Sequence, residues 1–311
     1  MKAPIDFFIA HLTAQNMQPM TLQQYGSFLI RFDRYLDQTY GLKLTPEDIS
    51  KITGAHLSTY MQELTSLNRK ISTRNNYIII LRRFFSCMKE AGFITDDPSR
   101  ILHSAREKMT PELRRERSEK RYTTQDIALL LEEMLGEHPR MTDLRDAAIL
   151  ALILASGLRA SEVCALDVRQ LQEMKDGVLF CLRKGGDWEE VSVAAFAIPY
   201  IERYLSARNQ PGGNTPMFVS QKGTRLTRQA MWESFHAKQQ RANLKSGIHI
   251  LRHTLVTFVD HNGGSAIARD VAGHSSVRIT DGYMHTSIDE RREAISAAPY
   301  VAQLEKQLQT S

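Results

Sequence analysis

Ala155-Ser156-Gly157-Leu158-Arg159-Ala160-Ser161-Glu162-Val163 joins two apolar segments through a glycine and a cation. The residues leading into it, Asp143 to Ala155, predict a buried helix that holds the most apolar stretch of the chain. Its core, Ala147 to Ala155, is far too short to cross a bilayer and predicts a helix buried inside a domain. Gly157 ends that helix. Arg159 follows the break, with Glu162 three residues further on. A guanidinium so close to a core needs a partner. An Arg159–Glu162 ion pair supplies one, so these residues alone suit a structural pair as well as a functional cation.

Working upstream, Thr123 with Asp126 predicts a capped helix through Met134. Downstream, Val178 to Leu182 and Val191 to Val193 predict short strands joined by the hairpin signal Arg183-Lys184-Gly185-Gly186-Asp187. From Ile198 the pattern is helical again, with loops at Pro211-Gly212-Gly213-Asn214 and His261-Asn262-Gly263-Gly264. The first hundred residues predict four helices. Ile5 to Ala14 carries Phe8, Ile9 and Leu12 on one face, and Thr21 with Gln24 caps a run bearing Tyr25, Phe28, Leu29, Phe32 and Leu36. Thr53 opens a third helix and Ser72 a fourth, Arg74 to Ala91, which Gly92 stops. Asp96-Asp97-Pro98 marks a domain edge. The expected fold is mainly α with a small antiparallel β-sheet: a helical domain over 1–105, a linker over 106–121 and a mixed α/β domain over 122–311.

A chain of 311 residues, 42% hydrophobic and 24% charged, suits two globular domains. Met1-Lys2-Ala3-Pro4-Ile5-Asp6 puts an acid where a secretory signal needs an apolar run. Cys87, Cys164 and Cys181 are widely spaced, which argues against a disulfide framework and for a reducing, cytoplasmic setting. The net charge is +5, and +3 of it lies in the stretch Arg106 to Arg121. Such a stretch serves as a solvated linker or as a segment crossing a phosphate backbone.

Ser72-Thr73-Arg74-Asn75-Asn76 puts cationic and amide side chains at a helix start, where free N–H groups attract phosphate and Arg and Asn can read base edges. An ordinary capped surface helix has the same signature. His249-Ile250-Leu251-Arg252-His253 places His249 and Arg252 on one helix face. His249 and His253 also have zinc-ligand spacing, but the glutamate that a zinc hydrolase needs after the first histidine is replaced by Ile250, so no metal site is expected. Gly273-His274-Ser275-Ser276 is followed, nine residues after the histidine, by Tyr283.

Taken in order, Arg159, Lys184, His249-x-x-Arg252, Gly273-His274 and Tyr283 resemble the complete catalytic set of the tyrosine recombinases, the family of phage integrases, Xer-type resolvases and Cre. SGLRASEV (156–163), HILRHT (249–254) and AGHSSVRITDGYMH (272–285) carry the likeness, with Ala272 in place of the usual leucine and Gly282 before the tyrosine. LTRQAMW (226–232) resembles the start of the family's DNA-contacting helix, adding Thr227, Arg228 and Gln229 to Thr73, Arg74, Asn75 and Asn76 as expected DNA contacts. The N-terminal helices resemble the family's core-binding domain.

The resemblance implies cleavage and rejoining of DNA through a covalent 3′-phosphotyrosyl intermediate on Tyr283, with no cofactor, ATP or metal. It gives the clamping of phosphate oxygens to Arg159 and Arg252, proton removal to His249, proton donation to Lys184 and further phosphate hydrogen bonding to His274. Glu162 would orient Arg159 or His249. The implied partner is double-stranded DNA at a specific inverted-repeat core site, bound as a dimer on one site and a homotetramer on two. A tail over about 295–311, with the stripe Val301, Leu304 and Leu308, would dock on a neighbouring protomer or on its own domain. A type IB topoisomerase-like enzyme and a DNA-binding protein without catalysis are the alternative readings.

Overall fold

A computed structural model describes residues 3–105, 121–183, 188–273 and 286–310. The chain divides into two compact units, Met1–Thr110 and Pro111–Ser311. The basic stretch over 106–121, apart from Arg121, lies outside the described residues.

Among the described residues, four α-helices build the first unit: α1 Pro4–Ala14, α2 Pro19–Tyr40, α3 Gly54–Ser66 and α4 Ile71–Glu90. Their inner faces meet in an aromatic core that includes Phe8, Phe28, Phe32, Phe84 and Phe85. Phe28 stacks on Tyr77 at 4.2 Å between ring centroids. Two helix starts differ from the sequence expectation. Helix α2 begins at Pro19 rather than after Thr21, because proline at the first helical position has φ already set and no N–H to satisfy. Helix α4 begins at Ile71 with Lys70 in the cap position, which puts Ser72 inside the first turn. Thr53 does precede α3, where its backbone N–H donates to His56 Nδ1 at 3.1 Å.

The second unit is built around α6. Helix α5, Thr124–Leu135, opens with a reciprocal cap: the Thr123 N–H donates to Asp126 Oδ2 at 2.8 Å, and the Asp126 N–H to Thr123 Oγ1 at 3.1 Å. Helix α6, Met141–Ser156, is buried at every residue from Arg145 to Ser156 and stops at Gly157, whose φ is +67°. A Cβ at Gly157 would lie 3.0 Å from the Val271 carbonyl oxygen, so both the backbone angle and the close approach call for glycine. Helices α7 Ala160–Ala165 and α8 Gln170–Lys175 follow. Strands β1 Val178–Leu182 and β2 Trp188–Ser192 then pair antiparallel, with Leu182 opposite Trp188. The second strand starts three residues before its expected start at Val191, because Glu189 and Glu190 join the ladder without contributing apolar alternation.

Helices α9 Ile198–Ala207, α10 Arg228–Arg241, α11 His249–Gly263, α12 Ser265–Ala272, α13 Ile288–Ser296 and α14 Val301–Thr310 complete the unit. A buried ionic network fixes α10 on α6: Lys238 Nζ donates to Asp146 Oδ2 at 2.7 Å and pairs with Asp143 at 3.0 Å. Arg145 pairs with Asp146 at 2.7 Å and donates to the Val219 carbonyl at 2.9 Å. In the single chain the stripe on α14 lies on its own unit, with Val301 and Leu304 buried in the core and Leu308 packed against it. Tyr200 Oη donates to the Leu304 carbonyl at 2.7 Å. Among the described residues no helix is long and apolar enough to cross a membrane.

Candidate active site

Arg159 enters the site because Gly157 turns the chain out of α6 and α7 begins at once. Its backbone N–H donates to Glu162 Oε2 at 2.8 Å, and its Nη1 donates to Glu162 Oε1 at 2.9 Å. The other end of the guanidinium reaches the C-terminus of α12, where Nη2 donates to the Gly273 carbonyl at 3.0 Å. Arg252, on the first turn of α11, is buried and donates to the carbonyls of Gly157 and Ala272. Two guanidiniums thus meet at the carbonyls of residues 272 and 273, at the mouth of the segment that carries His274 and Tyr283. Burial and then the neighbouring charge of Arg159 push the Arg252 pKa down to about 10, which leaves it a cation at neutral pH.

Glu162 is buried. Besides Arg159 it meets Arg183, whose Nη1 approaches its Oε2 at 3.3 Å. Arg183 is a third guanidinium of the site, and its side chain is only 3% exposed. The hairpin signal over 183–187 gives no hint of this burial. The available signal was alternation: Leu179 and Cys181 face inward on β1, and position 183 continues that face.

His249 opens α11, one turn before His253. Desolvation of its ring, followed by the positive surroundings of His253, Arg252 and Arg159, holds the imidazole below its ordinary value of 6.5. Among the described residues no group of three or more His, Cys, Asp or Glu is arranged to hold a metal ion. All three cysteines are buried, and desolvation raises the Cys164 and Cys181 thiols to about 11.

Lys184, His274 and Tyr283 lie outside the described residues. The far flank of the tyrosine segment is held at Thr286, whose N–H and Oγ1 both donate to Asp270 Oδ2, at 2.9 and 2.6 Å. Of the expected DNA contacts, Thr227 caps α10 by accepting from the Ala230 N–H at 3.1 Å, Arg228 is exposed, and Gln229 donates to Glu233 at 2.8 Å. In the first unit Thr73 is half-buried and Asn76 exposed. Arg74 donates to Thr65 Oγ1. The Asn75 amide is occupied at both ends, donating to the Ala105 carbonyl at 2.8 Å and accepting from the Ala105 N–H at 2.9 Å.

Residues 120–290 match the phage integrase family, and residues 5–92 match the phage integrase N-terminal SAM-like domain. The chain belongs to the phage integrase family of tyrosine recombinases. The tyrosine recombinase XerC of Pelobacter propionicus is 28% identical to this integrase-family chain over 295 residues, covering 94% of this chain and 93% of XerC. XerS of Streptococcus pneumoniae is 37% identical over 161 residues, covering 49% of this chain and 45% of XerS. A lambda integrase dimer bound to a COC′ core site shares the fold with a TM-score of 0.64 at 17% identity, covering 91% of this chain and 98% of that one. XerH bound to a palindromic difH substrate matches with a TM-score of 0.63 at 20% identity, covering 91% and 78%. Of the readings left open by the sequence, these relatives support the site-specific recombinase, an enzyme of DNA strand exchange.

Proposed function

We propose that Arg159 and Arg252 clamp the scissile phosphodiester of duplex DNA while Tyr283 attacks it. The Tyr283 Oη–P bond forms as the P–O5′ bond breaks, leaving a 3′-phosphotyrosyl link and a free 5′-hydroxyl. His249, held neutral by its surroundings, takes the tyrosine proton, and Lys184 supplies a proton to the departing 5′ oxygen. His274 adds a hydrogen bond to the phosphate, and Glu162 orients Arg159. Two fixed guanidiniums stabilise the extra charge on the non-bridging oxygens, the kind of preorganised term for which one donor is worth about 3–4 kcal/mol. The phosphotyrosyl link conserves the energy of the phosphodiester, so a 5′-hydroxyl can reverse the step without ATP.

The single observation that carries this reading is the convergence of Arg159 and Arg252 on the backbone at residues 272 and 273, where Glu162 is the one buried carboxylate beside them among the described residues. On DNA, the 1–105 domain, the basic stretch 106–121 and the exposed start of α10 bind the core site, and the 122–311 domain cuts it. The enzyme acts as a dimer on one inverted-repeat site and as a tetramer on two, in a cytoplasmic setting that suits its three buried thiols. A nicked core-site duplex that releases its 5′ fragment should trap a covalent protein–DNA adduct mapping to Tyr283. Tyr283→Phe should bind the same duplex and form none. An adduct formed by Tyr283→Phe would overturn the assignment.

A further inference from the structure

We propose that Arg183 is a positioning residue of this site: its buried guanidinium anchors the end of the hairpin strand that leads into Lys184 against Glu162 and Gly273. The proposal rests on the reading of Lys184 as the proton donor. Arg183 ends the inward face of β1, where Leu179 and Cys181 are apolar and a third apolar residue would serve the fold. A buried guanidinium there is costly unless it is paired. Its Nη1 meets Glu162 Oε2 at 3.3 Å and its Nε lies 3.4 Å from Glu189 Oε2, yet Nε finds no hydrogen bond of good geometry. Among the described residues, the partners of this charge do not fully satisfy it, which suits a position with a functional role better than one that serves packing alone.

Two contacts show what the charge positions. Glu162 is shared, holding Arg159 through Oε1 and the Arg159 backbone through Oε2 while Oε2 also receives Arg183. The phosphate-clamping arginine and the end of β1 thus hang on one carboxylate. On its other side, Arg183 lies against the backbone of Gly273, where an added Cβ would fall 2.6 Å from its Cζ. Gly273, with φ +51°, also accepts Arg159 through its carbonyl and precedes His274. Arg183 therefore ties together three chain segments that each lead into a reacting group, and Lys184 follows it by one peptide bond. Without that anchor the strand end that precedes Lys184 loses its fixed position. A misplacement of about 1 Å costs on the order of a hundredfold in such a step.

The test is single-turnover cleavage by Arg183→Met, Arg183→Lys and Lys184→Ala on two duplexes, one with an ordinary scissile phosphodiester and one with a 5′-bridging sulfur. Sulfur leaves as a thiolate and needs no proton. Arg183→Met should slow cleavage of the oxygen substrate by about ten- to a hundredfold and cleave the sulfur substrate within about threefold of the parent. Arg183→Lys, which keeps the charge but loses the planar fork, should fall between. Equal slowing on both substrates, or none on either, overturns the proposal, because a general loss of structure does not discriminate between leaving groups. If Arg183→Met fails to fold in a thermal melt, the Lys variant decides by the same oxygen-to-sulfur ratio. Lys184→Ala separates the two layers: sulfur rescue of that variant without rescue of the Arg183 variants sinks only the present proposal, and no rescue of Lys184→Ala sinks the reading beneath it.

Discussion

Asp146 and Glu162 are both buried carboxylates of the second unit, and they differ in the cations gathered around them. Asp146 meets Lys238 and Arg145, while the neighbouring Asp143 takes Lys238 at 3.0 Å and the exposed Arg140 at 2.9 Å. Every buried cation of that cluster faces an acid, so it is satisfied within the protein and has little to offer a ligand. Glu162 instead serves both Arg159 and Arg183, and Arg252 is left to carbonyl oxygens. Its second acid, Glu189, is 39% exposed and among the described residues approaches Arg183 alone. Burial and then the charge of Arg159 lower the Arg252 pKa, and under the function proposed above an anion is the partner that suits this cluster. The balanced cluster holds α10 to α6, whereas the other, under the function proposed above, would receive a phosphate.

This contrast can be broken by substitution on either side. The largest expected effect on stability belongs to the balanced cluster. Lys238→Met leaves Asp146 and Asp143 short of a cation in a buried setting and should cost about 3–5 kcal/mol in denaturant unfolding. Cleavage per folded molecule should remain within about twofold of the parent; a large loss of rate at unchanged stability would make this cluster part of the catalytic site.

A smaller effect sharpens the other side. His249 has its pKa lowered first by desolvation and then by the cations near it, so its neutral form persists to more acid pH than an ordinary histidine. A neutral base is lost as pH falls through that lowered value. The cleavage rate should therefore be flat near neutrality and fall about tenfold per pH unit on a limb whose midpoint lies below 6.5. His249→Gln should slow cleavage and abolish the limb. A midpoint above 6.5, or a limb unchanged in His249→Gln, would separate His249 from proton transfer.

The sequence exposed what is local and hid what is long-range. The pairing of Arg159 with Glu162 was visible because the two residues are one helical turn apart, and the Thr123–Asp126 cap for the same reason. Arg252 could be read from its motif, but its carbonyl partners, 95 and 20 residues away, could not. The Asp146–Lys238 pair spans 92 residues and leaves no local pattern. Nothing near Asn75 in the sequence shows that its amide is bonded to Ala105, 30 residues on. Arg183 was masked by the turn signal that follows it, although strand alternation pointed inward. The start of α2 at Pro19 was missed because a cap was sought at a hydroxyl, where proline had already set the first turn.

The most direct measurement pairs single-turnover cleavage with thermal melting for Arg252→Met, which keeps much of the buried aliphatic volume and removes the charge. Loss of the clamp should slow cleavage by about a hundred- to a thousandfold. Relief of repulsion from Arg159 and Arg183 should offset the lost carbonyl hydrogen bonds, so that Tm stays within about 4 °C of the parent, roughly the shift from 1–2 kcal/mol in a unit of this size. Near-normal cleavage, or a collapse of Tm like that expected for Lys238→Met, would contradict the claim that this cluster is built for phosphate rather than for the fold.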